Sequence, residues 1–280
     1  MADTLRCAVT ELYLHPIKGC RPIAVDSLEL NEFGIYGDRE LMVVKDKRKM
    51  NLKDLPALAK ITVELGDSGQ LMLCAKGFDA IAHHRILQGV TGSVGFLFDT
   101  VDVVDQGDEI AQWLSRVVRE SVRLVAIEKA FNRNLPGTAL ETVQGNPQHN
   151  FVDVAPVMIV NEATLNDLNS RISRPVPVQR FRPNIVVGGL EAYAEDDISS
   201  MQGAEFSFTL VSPCERCVII NTDHETGERT DKGPLKMLSR YRRIKDGYDS
   251  GVLFGSYYSV KGSGTLKVGD SFEVSKMTLG

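Results

Sequence analysis

The sequence predicts a mainly β (α+β) protein built as two intimately associated β-barrel-like units with a few peripheral helices. Short β-branched and apolar runs separated by turn residues recur along the whole chain, the pattern of barrels and sandwiches. Strands outnumber helices and show no regular βαβ alternation, which points to barrel-like β structure with peripheral helices. The 280 residues exceed the usual size of one core, so either one large all-β unit or two intimately joined units is expected, and two units sharing one site is the preferred reading.

Residues 5–14 are rich in β-branched and apolar side chains and form a strand that stops at His15-Pro16, where proline disfavours pairing. The loop HPIKGCRPIAV carries Lys18, Gly19, Cys20 and Arg21 into a second strand at 25–30. After Phe33-Gly34 and Gly37, Asp38-Arg39 precedes the apolar strand 41–44, and Arg39 taken alone reads as a surface residue. Strands at 60–65 and 71–75 complete the pattern of a small barrel.

Residues 108–120 predict a helix, because Ile110, Trp113, Leu114, Val117 and Val118 share one face and Asp108 and Glu109 suit its first turn. Trp113 reads as core. A strand at 122–127 follows. Residues 128–150 show little periodicity, and a loop of that length is usually functional or mobile, so it is a candidate substrate gate. Asp153 opens a strand at 154–160, and Asn161 caps a helix with Leu165, Leu168 and Ile172 on one face, ended by Arg174-Pro175 and Pro177. Strands at 184–187, 206–211, 217–220, 253–260 and 265–274 complete the set.

Hydrophobic content of 43% and charged content of 25% describe an ordinary globular chain with enough apolar residues for a sizeable core. A net charge of −5 provides no drive toward nucleic acid or an anionic membrane surface. No apolar run approaches the roughly 18 residues that span a bilayer, and the N-terminus lacks a leader pattern, so a cytoplasmic location is expected. Five cysteines are too sparse and odd in number for a secreted disulfide framework, leaving thiols available for chemistry.

Reactive side chains concentrate in residues 180–223: Arg180 and Arg182 around Phe181, the acids Glu195, Asp196 and Asp197, and the pair Cys214 and Cys217. Guanidinium groups suit phosphate and thiolates bind soft metals, so the stretch reads as a metal or cofactor site with an anionic handle. Residues alone leave three alternatives for the cysteines: half a zinc site completed by His224, a dithiol redox pair, or inert core thiols. The three acids could form a catalytic pair, but read most simply as a solvated turn or a helix N-terminus.

The ordered set LHPIKG, YGDR, RFRPNIVV, AEDDI, PCERC, DHETG, LFG and GTLKVGD resembles the MOSC family (molybdenum cofactor sulfurase C-terminal domain) with its N-terminal β-barrel partner. Within it, the chain is similar to the mitochondrial amidoxime-reducing components and the bacterial YcbX-like proteins. The resemblance covers nearly the whole chain, making 1–125 the MOSC-associated N-terminal barrel and 126–280 the MOSC domain. It implies that Cys217 ligates molybdenum and that Lys18, Arg39, Arg182 and Arg216 bind the molybdopterin. Asp153 would line the metal pocket as a proton donor or hydrogen-bond acceptor, and Cys214 would not be the ligand.

The activity so implied is molybdenum cofactor-dependent reduction of N-hydroxylated compounds such as amidoximes, hydroxylamines and N-hydroxylated bases to amines. Electrons would come from a separate ferredoxin, flavodoxin or cytochrome-like partner. No nucleic-acid or membrane partner is expected. Two alternatives use the same residues: a carrier or store of the cofactor, and a persulfide sulfur carrier at Cys217 or Cys214. Gly19 and Glu215 depart from the family's small hydroxyl residues, and Glu215 is expected to face solvent rather than an anionic cofactor. Neither the ferredoxin domain of YcbX-like proteins nor a membrane anchor like that of the mitochondrial relatives is expected.

Overall fold

The computed structural model describes residues 5–130, 149–229, 233–243 and 251–277. Two closed barrels organise it. The larger is a ring of seven strands in the order Ile185–Gly188, Val157–Asn161, Val252–Gly262, Phe206–Arg216, Ile198–Gln202, Ser271–Lys276 and Arg6–Leu14, which pairs back to the first. The smaller joins five: Arg123–Ile127, Asp99–Asp105, Thr91–Phe96, Arg48–Lys49 and Leu41–Lys45.

The strand Arg6–Leu14 belongs to the larger barrel although it opens the chain. It lies antiparallel between Ile185–Gly188 and Ser271–Lys276, with Leu12 opposite Ile185 and Cys7 opposite Phe272. Next in the chain, Ser27–Asn31 pairs with Gly264–Lys267, so the first three dozen residues are woven into the far end of the sequence. Val9, Leu12, Ile159, Ile185, Phe208, Tyr258 and Phe272 form the core among these strands.

The run Leu41–Lys45 is apolar without alternation because both of its faces are covered. Met42 and Val44 pack with Phe96, Val103, Val125 and Phe151. Leu41 and Val43 pack with Trp113, Leu114 and Val117 of the helix Asp108–Val118. Side chains alternate along a strand, so one set fills the small barrel while the other seats the helix on its wall. Trp113 is buried, as expected of a core residue. Asn161 caps the helix Glu162–Arg171, its side chain accepting from the Ala163 N–H at 3.1 Å.

Several boundaries differ from the sequence-based reading. The strand expected at 217–220 is a short 3-10 turn, Val218–Asn221, capped by Cys217. The β-branched residues favour a strand, but Ile220 turns into the core and the turn is closed by the Ile220 N–H to the Cys217 carbonyl at 3.3 Å. The strand expected at 206–211 runs on to Arg216, with register slips between Leu210 and Ser212 and between Pro213 and Glu215. Such bulges bend a strand and re-aim its side chains. The run 265–274 divides into Gly264–Lys267 and Ser271–Lys276 around Gly269, whose φ of 95° makes the turn. The strands Phe78–His83, Thr91–Phe96 and Asp99–Asp105 were not anticipated, and the first two expose most of their residues. Most of the candidate gate, residues 131–148, lies outside the described residues.

Candidate functional site

The site forms where the end of Arg6–Leu14 meets the turn before Ile185–Gly188. His15-Pro16 ends the strand, and Asp38, fully buried, receives three donors there. The His15 N–H and the Asn184 amide each donate to its Oδ1 at 3.0 Å, and the Arg39 guanidinium donates to Oδ2. Arg39 sits in the left-handed region with φ 52°, a conformation that costs a non-glycine residue about 1 kcal/mol. Its N–H to the His15 carbonyl at 2.6 Å and the Phe151 N–H to its own carbonyl at 2.7 Å hold it there. Its Nη1 also reaches Asn184 Oδ1 and its Nη2 the Arg182 carbonyl, both at 3.1 Å. Arg39 therefore braces the two units, and its expected surface character is overturned.

Arg182 follows the 3-10 turn Val178–Phe181, also left-handed at φ 57°. Its Nη1 donates to the Cys20 carbonyl at 2.8 Å, whereas its buried Nη2 has no partner. Burial first, then the neighbouring Arg39, bring its pKa down to about 10. Arg216 ends its strand and donates to the carbonyls of Phe254 and Phe181 at 2.8 and 2.9 Å. The chain turns at Cys217, so consecutive residues that would point apart in a strand both line the cleft. Cys217 is exposed and Cys214 is buried.

Lys18, Arg39, Arg180, Arg182, Arg216 and Cys217 line one cleft of about 610 Å³. Its acidic members are Asp153 and Glu215, so five basic side chains face two carboxylates. Glu215 is exposed, as expected, and stands on the lining. Lys18 is buried, with Nζ donating to the Phe151 carbonyl at 2.8 Å and to Asp153 Oδ2 at 2.7 Å. Burial pulls its pKa down to about 8 against the opposing charge of Asp153. Asp153 meets desolvation that would raise its pKa, but Lys18 and Lys49 hold the carboxyl well below the usual range. Of the two roles expected for Asp153, this ionisation favours acceptor over proton donor. His224 reports the same positive field: burial and then Arg182, Arg21 and Arg180 bring it down to about 3.

The residues expected of a cofactor site, namely Lys18, Arg39, Asp153, Arg182, Arg216 and Cys217, are thus brought together from both halves of the sequence. Of the two readings of the acids, the solvated turn fails at Glu195, which is fully buried, whereas Glu195 and Asp196 do lie in the first turn of the short 3-10 helix Ala194–Asp196. Among the described residues no group of three His, Cys, Asp or Glu side chains could hold a metal, so the zinc alternative gains no support. Sequence reasoning missed Lys49, 3.3 Å from Asp153, and Tyr257, which faces the cleft from Val252–Gly262. The signal for Tyr257 was slight, since GSYYS reads as an ordinary alternating strand.

Two regions of the chain match family descriptions: residues 6–121 the MOSC N-terminal beta barrel domain and residues 146–273 the MOSC domain. The chain is 34% identical to mitochondrial amidoxime reducing component 2 of Bos taurus, across 94% of this chain and 81% of that protein. It is 29% identical to mitochondrial amidoxime-reducing component 1 of Homo sapiens over the same shares. Among solved structures, the YUAD protein of Bacillus subtilis superposes with a TM-score of 0.48 at 12% identity, over 99% of this chain and 100% of that one.

Proposed function

This chain belongs to the MOSC-domain family, and from that premise we propose that it is a molybdenum cofactor-dependent oxidoreductase that reduces N-hydroxylated compounds to amines. One observation carries the reading: an exposed thiol, Cys217, stands in a cleft with a surplus of cations drawn from both units. A phosphorylated pterin fits that surplus. Arg182 keeps a buried Nη2 without a partner, the donor that an anion would satisfy.

The side chains divide the work. Cys217 would be the thiolate ligand of molybdenum. Lys18 and Arg182 would donate to the anionic part of the cofactor, and Arg39 and Arg216 add charge while their guanidiniums fix the carbonyls of Arg182, Phe181 and Phe254. When bound, the molybdenum centre supplies the two-electron chemistry that removes oxygen from nitrogen. Asp153, held ionised by Lys18 and Lys49, offers an acceptor to the N–H groups of the substrate. Val154, Ala155, Met158, Leu253 and Tyr257 provide an apolar wall for its uncharged body.

We assign the electrons to a separate redox protein of the ferredoxin, flavodoxin or cytochrome type, and the location to the cytoplasm. Protein purified from cells competent in cofactor synthesis is expected to hold near-stoichiometric molybdenum and pterin and to reduce benzamidoxime with a chemical reductant. Zinc as the sole metal, or full molybdenum in Cys217→Ala, overturns the reading.

A further inference from the structure

Two lysines of the first unit close on one carboxylate of the second. The Lys18 Nζ donates to Asp153 Oδ2 at 2.7 Å and the Lys49 Nζ to Oδ1 at 3.3 Å. Both lysines come from short strands paired to Leu41–Lys45: Lys18 lies beside Met42, and Lys49, on Arg48–Lys49, lies opposite Val44. Paired residues share a face, and Met42 and Val44 belong to the small-barrel core around Phe96. The two ammonium groups accordingly stand 5.4 and 5.2 Å from the centre of the Phe96 ring, which is fully buried and meets Phe151 edge-on at 5.5 Å. An aromatic face attracts a cation, so Phe96 is a common seat for both.

The two grips on the carboxylate differ. Lys18 is buried and also bonded to the Phe151 carbonyl, whereas Lys49 keeps 22% of its side chain exposed and makes the longer contact. A carboxylate oxygen accepts about two donors, so Oδ1 retains capacity for another. Asp153 lines the cleft with 48% of its side chain exposed, and Lys49 touches it from outside that lining. We propose that Lys49 is a positioning residue that holds the Asp153 carboxylate in one orientation with Oδ1 able to accept a substrate N–H, and thereby favours substrates with an N–H beside the N-hydroxyl group. The inference rests on the acceptor role given to Asp153 in the function above and names the class it selects: amidoximes and N-hydroxyguanidines, whose neighbouring nitrogen bears hydrogen. Without Lys49 the half-exposed carboxylate keeps one cationic anchor, Lys18 at Oδ2, and turns about it.

The test compares benzamidoxime with its N,N-dimethyl analogue, which keeps the N-hydroxyl and lacks the amino N–H, as the ratio of kcat/KM values per bound molybdenum. Wild type should favour benzamidoxime. Lys49→Met removes the charge at nearly equal length and should lower kcat/KM for benzamidoxime about five-fold, the upper range for a partly exposed ion pair, while leaving the dimethyl analogue nearly unchanged. Lys49→Arg keeps a cation within reach of Oδ1 and should keep the wild-type ratio. A merely structural role would lower both substrates together.

A second readout needs no turnover: in cofactor-free protein the three-bond NMR couplings of Asp153 should report a single χ1 rotamer in wild type and Lys49→Arg, and averaging over rotamers in Lys49→Met. An unchanged ratio in Lys49→Met, equal loss of both substrates there, or an Asp153 rotamer that stays single overturns this inference alone. Wild-type protein that holds molybdenum and reduces neither substrate overturns it together with the proposed function.

Discussion

Glu195→Gln tests how burial and ionisation are balanced away from the cleft. Glu195 lies on the 3-10 turn Ala194–Asp196 and has no exposed surface. Its Oε2 accepts from the Thr164 hydroxyl at 2.8 Å, while Oε1 is buried without a partner. Burial raises the carboxyl pKa to about 7 from an ordinary 4.5, and Asp196 adds to the rise against the bond from Thr164. Between those two values the folded protein retains a proton that the unfolded chain has released, so stability falls as pH rises through that window and is level above it. At about 1.4 kcal/mol per unit, the loss is about 3 kcal/mol by pH 8. Glutamine keeps the acceptor for Thr164 and has no charge to desolvate. Urea unfolding should show the variant within about 1 kcal/mol of wild type at pH 5 and about 2 to 3 kcal/mol more stable at pH 8. A difference that does not change between pH 5 and pH 8 would refute the buried ionisation.

Cys217→Ala should abolish molybdenum binding measured by metal analysis, while thermal unfolding of the cofactor-free protein shifts by no more than about 0.5 kcal/mol, because the thiol is exposed. Asp153→Asn removes the anion that supports the Lys18 charge, so the Lys18 pKa should fall further below about 8. Retention of an anionic cofactor should then fade at lower pH than in wild type, as read by pterin content across a pH series. Arg39→Ala leaves Asp38 fully buried without its guanidinium and should cost about 3 to 5 kcal/mol in urea unfolding. Arg39→Lys should recover only part of this, because a single ammonium cannot meet Asp38, Asn184 and the Arg182 carbonyl at once. Residues 126–280 expressed alone should fail to give the sharp thermal transition of the whole chain, since Arg6–Leu14 closes their barrel.

The sequence was most readable where one face of an element is buried and the other is not. The helix Asp108–Val118 and the cap at Asn161 are local signals of that kind. Thr91–Phe96 has two glycines and a serine in six residues, and its pairing with Asp99–Asp105 carries a strand that its own propensity does not. The turn at Cys217 was misread for the opposite reason: three β-branched residues promise a strand, and tertiary packing of Ile220 overrides them. Within the site, motif resemblance pointed to Cys217, Lys18, Arg39, Arg182 and Arg216, which the fold gathers along one cleft, whereas propensity gave no reason to join them. Arg39 looks superficial in sequence because the carboxylate that holds it is adjacent, and its other partners, Arg182 and Asn184, are more than 140 residues away. The solvated-turn reading failed at Glu195, since three consecutive acids suggest water and only the fold turns the first of them inward.

The cleft and the seam between the units are one structure. Arg182 donates to the carbonyl of Cys20, Arg39 to that of Arg182, Lys18 to that of Phe151 and Arg229 to that of Leu52, so cations from each half hold the backbone of the other. Hydrogen bonds from charged donors each contribute about 1.5 to 3 kcal/mol, enough for a few of them to align two barrels. The same cations repel one another: Lys18 and Arg182 have depressed pKa values chiefly through burial, to which the like charge of Arg39 adds. An anion placed among them relieves that repulsion and strengthens the seam, because a ligand that binds only the assembled site stabilises the assembly by mass action. Binding of such an anion and the joining of the two units would therefore be linked. On the proposed function, this is the reason for basic residues at 18 and 39 to line the same cleft as the thiol at 217, since a site confined to either barrel would have cations of one unit only and no such coupling.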